Sequence, residues 1–218
     1  MSIIRVIMFD VDGVLLDSLE PHLRICEDKN REYDLALKIP NDADLKEMVR
    51  RGVEINPMDR FFLAVGFPPE FAEKAFAQYK KIFSEKYSPR PFPYVHETLK
   101  RLQEAGYTMG VVTSNVVANI VQALGPSMDF FEPTCIYTAD NMAKLSKGEA
   151  LKAAMARLEA SGSETTYVGD QPSDWEAAKE AGTGFLGVTY GWGISREEKR
   201  FAVAQDVVDI CNFFLGRS

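Results

Sequence analysis

Asp10 and Asp12 stand two residues apart in Met8-Phe9-Asp10-Val11-Asp12, and Gly13 follows at once. Two carboxylates converging on one place repel each other unless a cation lies between them. A hard cation with oxygen ligands is the natural partner, and Mg²⁺ is the usual one where phosphate is handled. Gly13 allows a backbone angle that side chains resist, so the chain can turn sharply beside a ligand. A calcium loop would need more oxygen ligands at alternate positions, and Val14, Leu15 and Leu16 supply none. A second acidic pair, Asp170 and Asp174, comes directly after Gly169. Between the two pairs lies Thr113-Ser114-Asn115. A hydroxyl and free amides at a helix start can together hold an anion, while Ser114 or Asn115 would serve equally as a helix cap. Arg50 and Arg51, before Gly52, offer two guanidinium groups in an acidic protein. They would clamp a carboxylate or phosphate in two-pronged fashion, or simply end a helix, where cations suit the dipole.

Each acidic or hydroxyl group follows a short apolar run rich in β-branched residues. Residues 3–9 precede Asp10, 107–112 precede Thr113, and 165–168 precede Gly169. Such runs are too short for buried helices and read as strands covered on both faces in a parallel sheet. Weaker strands are expected at 134–137 and 185–188. Helical faces alternate with them, as in Val117, Ile120, Val121 and Leu124, or Val207, Ile210, Cys211 and Phe214. Open α/β sheets bind ligands beyond the carboxyl ends of their strands, which is where these side chains would stand. From Ser18 to about Tyr87 the period is helical throughout. Residues 88–93 then hold three prolines in six positions, a linker pattern. The expected fold is therefore α/β: a Rossmann-like parallel sheet sandwiched by helices, formed by 1–17 and 90–218, with an inserted all-helical cap at 18–89. His22, on the apolar face of the first cap helix, reads as a core or interface histidine.

The run Asp10-Val11-Asp12-Gly13-Val14-Leu15-Leu16-Asp17-Ser18 resembles the first motif of the haloacid dehalogenase superfamily, in the form carried by its phosphatases. Three further motifs match in order. Thr113 fits the Ser or Thr after an apolar strand. Lys147 fits the lysine motif, although Gly148 follows where many relatives have proline, and Lys144 is an alternative. Asp170 and Asp174 fit Gly-Asp-x-x-x-Asp, with Gln171 where relatives often carry a small hydroxyl residue. The segment Thr189-Tyr190-Gly191-Trp192-Gly193 is similar to the phosphoglycolate phosphatase-like branch; without a partner it would be a flexible loop over packed aromatics.

The resemblance implies roles. Asp10 would attack phosphorus and become an aspartyl phosphate, and Asp12 would be general acid and base. Thr113 and Lys147 would hold phosphoryl oxygens, with Ser114 and Asn115 beside the substrate. Asp10, Asp12 (through its carbonyl), Asp170 and Asp174 would form the Mg²⁺ site, and Arg50 and Arg51 would contact substrate from the cap. The implied protein is a Mg²⁺-dependent phosphatase of a small phosphorylated metabolite, phosphoglycolate-like or a sugar phosphate. A phosphomutase shares all four motifs, and a non-catalytic phosphate-binding protein is the alternative of another class. A dehalogenase would lack an acid at the place of Asp12.

Bulk properties agree. The 218 residues allow one domain with a large insertion, and 46% hydrophobic with 26% charged residues is ordinary for a globular chain. A net charge of −7 with no basic stripe argues against nucleic acid or an anionic membrane as partner. Cys26, Cys135 and Cys211 are far apart and flanked by apolar residues, so they read as reduced, buried small hydrophobes. No cleavable signal pattern or membrane-length apolar run is apparent. The expectation is a cytoplasmic monomer or homodimer whose partner is a small-molecule phosphate ester.

Overall fold

The computed structural model describes residues 4–56, 58–142 and 144–216, the side chains of Lys80 and Ser84 apart. Ile3, where the first apolar run begins, lies outside them. In chain order the elements are β1 (Val6–Phe9), β2 (Leu16–Asp17), α1 (Leu19–Glu32), α2 (Asp42–Arg50), α3 (Met58–Ala64) and α4 (Pro69–Lys86). Then come β3 (Arg90–Pro91), α5 (Val95–Glu104), β4 (Thr108–Val112), α6 (Val117–Leu124), β5 (Ile136–Tyr137) and α7 (Lys147–Arg157). The chain closes with β6 (Thr165–Gly169), α8 (Pro172–Ala181), β7 (Gly184–Val188), β8 (Ala202–Ala204) and α9 (Val207–Leu215).

Six strands form one sheet in the order β5-β4-β1-β6-β7-β8, and every pairing in it is parallel. β1 lies between β4 and β6, with Phe9 opposite Val111 on one side and Val168 on the other. Its four residues are all buried, because both sheet faces are covered. Ile7 and Phe9 join a cluster with Leu99 of α5, Ile120 of α6 and Ile210 of α9. Val6 and Met8 point the other way, against Leu151 and Ala154 of α7 and Ala178 of α8. That alternation makes three layers, helix on sheet on helix. A fully buried apolar side chain contributes roughly 1.5–3 kcal/mol here.

Helices α1 to α4 bury a separate apolar cluster that includes Leu45, Phe61, Phe62 and Phe83. Both connections to this helical segment run side by side: Leu16 pairs with Pro91 and Asp17 with Arg90 in a two-stranded antiparallel ribbon. The proline-rich stretch, expected as a plain linker, thus carries a short strand. Phe92 N–H adds a bond to the Leu15 carbonyl at 3.0 Å.

Two strand expectations need correction. Residues 133–135 form a 3₁₀ turn, leaving only Ile136 and Tyr137 extended. Pro133 sits at the first position of that turn, and the Glu132 carboxylate accepts from Thr134 N–H, so the chain curls before it can pair. The edge strand Ala202–Ala204 is missing from the sequence reading, since three small residues make no recognisable run. The three cysteines are buried and unbridged. Among the described residues no helix is long and apolar enough to cross a membrane.

Gly110 lies mid-strand in β4, where a Cβ would stand 2.7 Å from the Met8 methyl and 2.8 Å from the Cys135 carbonyl oxygen. Gly110→Val is expected to destabilise by about 1–3 kcal/mol through overpacking. Chemical denaturation checks this; an unchanged midpoint would mean that the strand shifts freely.

Candidate active site

Parallel strands end at one edge of the sheet, so the residues after β4, β1 and β6 meet there. Asp10 N–H bonds the Val168 carbonyl at 2.9 Å, continuing the ladder one residue past β1. Thr113 N–H likewise bonds the Tyr137 carbonyl at 3.0 Å. The Asp10 carboxylate takes Val11 N–H on Oδ1 at 2.7 Å and Lys147 Nζ on Oδ2 at 2.6 Å. Lys147 also donates to Asp174 Oδ1 at 2.7 Å. The other oxygen of Asp174 accepts from the N–H groups of Asp170 and Gln171, at 3.1 and 3.0 Å. Asp174 is thus fully bonded and holds the lysine against Asp10.

Asp170 is different. Oδ2 accepts from Trp192 N–H at 2.6 Å, while Oδ1 is buried with no hydrogen-bond partner among the described residues. Asp10, Asp170 and Asp174 each place an oxygen within 4.8 Å of the others. Three buried carboxylates face one ammonium, so their full ionisation needs further positive charge. Burial therefore pushes the Asp10 carboxyl up to about 6 against the pull of Lys147. Burial, then Asp174 and Asp10, raise Asp170 well above the carboxylate range. Burial works against a charged Lys147, but the Asp10 and Asp174 carboxylates outweigh it and hold the ammonium well above its ordinary value.

The Asp12 carboxylate turns away from this group. Its Oδ2 accepts from Asn115 Nδ2 at 2.9 Å, and its Oδ1 is buried with no hydrogen-bond partner among the described residues. Asn115 is held in that orientation because its carbonyl accepts from Asn119 Nδ2 and from Val116 N–H, at 2.9 and 2.8 Å. Gly13 has φ +76°, and a Cβ there would collide with the Asp170 carboxylate. The glycine thus serves the turn and lets the two acidic loops meet.

One cavity of about 280 Å³ gathers Asp10, Asp12, Thr113, Ser114, Asn115 and Lys147. Lys144 is exposed and does not line it, so Lys147 is the lysine of the site. The serine before it settles the choice: Ser146 and Glu149 form a capping box, which puts Lys147 at the first helical position, facing the strand ends. That pattern was readable in the sequence as Ser-x-x-Glu.

Arg50 and Arg51 are a correction. Neither lines the cavity; both pair with Glu47 of α2, at 3.8 and 2.8 Å, with side chains 40% and 75% exposed. They end a helix whose dipole favours cations, and its outward face carries them from the acids. The helical segment reaches the cavity with other residues: Ile55, Asn56, Met58, Phe61, Phe76 and Tyr79. His22 also lines it. Nδ1 bonds the Ser18 carbonyl at 2.5 Å, Nε2 lies 3.3 Å from the Tyr79 hydroxyl, and burial lowers the imidazole below its ordinary value. From the core side, Gln171, Asp140 and Trp192 were also missed. Trp192 is buried in the helical cluster, 5.3 Å from the His22 ring, so the glycine-aromatic segment is anchored.

The chain is similar to known proteins in sequence and in fold. Residues 7–188 match the family model of the haloacid dehalogenase-like hydrolases, and the chain belongs to that family. A phosphoglycolate phosphatase of Vibrio vulnificus strain YJ016 is 30% identical, over 97% of this chain and 96% of its own length. A phosphoglycolate phosphatase of Pseudomonas syringae pv. syringae is also 30% identical, over 93% of this chain and 77% of its own. A haloacid dehalogenase-like hydrolase from Streptococcus pneumoniae shares the fold with TM-score 0.77 at 20% identity, over 97% and 98% of the two chains. Within the family the chain is a phosphatase of the phosphoglycolate phosphatase-like branch.

The two lysines give a direct check. Lys147→Ala should lose phosphatase turnover by about 10²-fold or more, the scale for one stabilising donor in a dry site. Lys144→Ala should stay within about twofold, since a surface change away from the site is nearly neutral. Comparable losses in both, measured as kcat on an aryl phosphate, would overturn the assignment.

Proposed function

We propose that the chain is a Mg²⁺-dependent phosphomonoesterase that works through an aspartyl phosphate on Asp10, acting on a small phosphorylated metabolite. The observation carrying this is the buried group of three aspartates served by one ammonium, with Asp170 Oδ1 left unbonded in it. Carboxylate oxygens and a main-chain carbonyl at Asp12 are hard donors and suit Mg²⁺. Asp10 and Asp170 are the side chains to hold it; Asp174, with both oxygens engaged, supports from behind. Bound there, Mg²⁺ would supply positive charge where the phosphate dianion must approach a carboxylate.

The chain's own residues do the rest. Asp10 attacks phosphorus in line with the ester oxygen, and the P–O bond to the alcohol breaks as the new one forms. Lys147 and the Thr113 hydroxyl bind the equatorial oxygens, whose charge is spread in a loose transition state. Asp12 enters protonated and gives its proton to the leaving alkoxide. It then takes a proton from the water that attacks the aspartyl phosphate, releasing inorganic phosphate and restoring Asp10. The covalent stage divides one hard displacement into two easier ones. Asn115 holds the Asp12 carboxylate at its post. Residues 18–89 act as a cap on the core of 1–17 and 90–218, excluding water and reading the alcohol. The β2–β3 ribbon is the hinge of that cap.

Asp10→Asn is expected to stay folded and lose nearly all turnover; wild-type rates on an aryl phosphate would end this mechanism. Release of free phosphate with no bisphosphate activator distinguishes it from phosphoryl transfer by a mutase.

Mg²⁺ should also raise the melting temperature of the wild-type chain, because a bound cation stabilises the folded state. Asp170→Asn should remove that rise and demand far more metal for turnover. Full activity in excess chelator is the result that would refute the metal.

A further inference from the structure

The lining of the cavity does not suit phosphoglycolate, the substrate in the names of the related phosphatases. Besides the acids the cavity is lined by Ile55, Met58, Phe61, Phe76 and Trp192, with the Tyr79 hydroxyl and the His22 imidazole as polar points among them. Both His22 nitrogens are engaged, by the Ser18 carbonyl and the Tyr79 hydroxyl, and burial lowers the imidazole. Asn56 turns its amide to Gln171 at 3.2 Å. Among the described residues Lys147 is the one lysine or arginine that lines the cavity, and Asp10 and Asp174 already engage it. On the near rim Asp140 adds a carboxylate, fixed by Val117 N–H at 2.7 Å. An alcohol bearing its own carboxylate would enter a mostly apolar space with no cation to meet it. Its desolvation would go unrepaid, and Asp140 would repel it. An apolar alcohol gains from the same walls by leaving water.

On the phosphatase reading above, we propose that this site takes phosphomonoesters of uncharged, mainly apolar alcohols and discriminates against carboxylate-bearing ones such as phosphoglycolate. The volume of about 280 Å³ suits an alcohol about the size of one ring beside the phosphate. Met58, half-buried at the start of α3, is the position from which a cation would reach the alcohol.

The test is a panel of three alkyl esters with the purified full chain and Mg²⁺: 2-phenylethyl phosphate, phosphoglycolate and phosphocholine. All three leave as alkoxides, so aryl reactivity does not favour the apolar one. Expected is a kcat/KM for 2-phenylethyl phosphate at least about tenfold above either charged ester, the discrimination a hydrophobic pocket typically gives. Phosphoglycolate or phosphocholine as the better substrate would overturn the proposal and leave the phosphatase reading standing. Phosphate release from none of the three, with turnover of an aryl phosphate intact, would overturn this proposal alone; no release from the aryl phosphate either would sink the phosphatase reading as well. Met58→Arg should raise the phosphoglycolate to 2-phenylethyl phosphate ratio by about tenfold, the effect of about 1.4 kcal/mol. An unchanged ratio in a folded variant would count against the proposal. Should Met58→Arg fail to fold, the wild-type panel decides alone.

Discussion

Three carboxylates lie buried within 4.8 Å of one another, and much of the architecture answers that repulsion. Isolated charges cannot be removed from water without compensation. Here compensation comes from the polarity of the fold. Parallel strands bring their carboxyl ends to one edge, and each following helix begins there with free N–H groups and the positive end of its dipole. Asp174 draws on this fully, through two main-chain N–H groups and Lys147. Asp10 draws on it in part, and Asp170 receives one N–H, from Trp192. The shortfall falls on Asp10, which lines the cavity, and on Asp170, buried behind it. A buried acidic group short of positive charge is suited to a cation.

The strands were legible because a strand covered on both faces reads as an unbroken apolar run. Ile7 and Phe9 serve one helical layer, Val6 and Met8 the other, and no polar residue interrupts them. The acids were legible because they end such runs at once. Beyond that point the sequence signal weakens. Lys147 and Lys144 differ in that the capping box of Ser146 and Glu149 starts the helix at Lys147 and leaves Lys144 in the exposed turn before it. Arg50 and Arg51 were misjudged because residue type shows what a side chain can bind, not which way its helix faces. Ile55, Asn56 and Met58 lie in or just after a loop without period, so nothing local marks them as cavity wall. Their position depends on how α2 and α3 fold back over the strand ends, a long-range fact.

Two contacts across the cavity show how the helical segment is tied to the acids. Asn56 donates to Gln171, the residue directly after Asp170, where relatives often have a small hydroxyl. A longer side chain at that place reaches the opposite wall. Trp192 does more: its N–H bonds the Asp170 carboxylate while its ring packs beside His22 and Phe61, at 5.3 and 6.1 Å. The flanking glycines permit this, since a Cβ at Gly191 would collide with Asp170 and one at Gly193 with Val49 of α2. One residue thus joins a half-satisfied acid of the core to the apolar centre of the helices. The ring at the other end of the residue lines the same cavity as Asp10. The acids at the strand ends and the apolar packing of the helices therefore share a single backbone link. The β2–β3 ribbon adds the second tie, since both chain connections to the helical segment pass through it side by side.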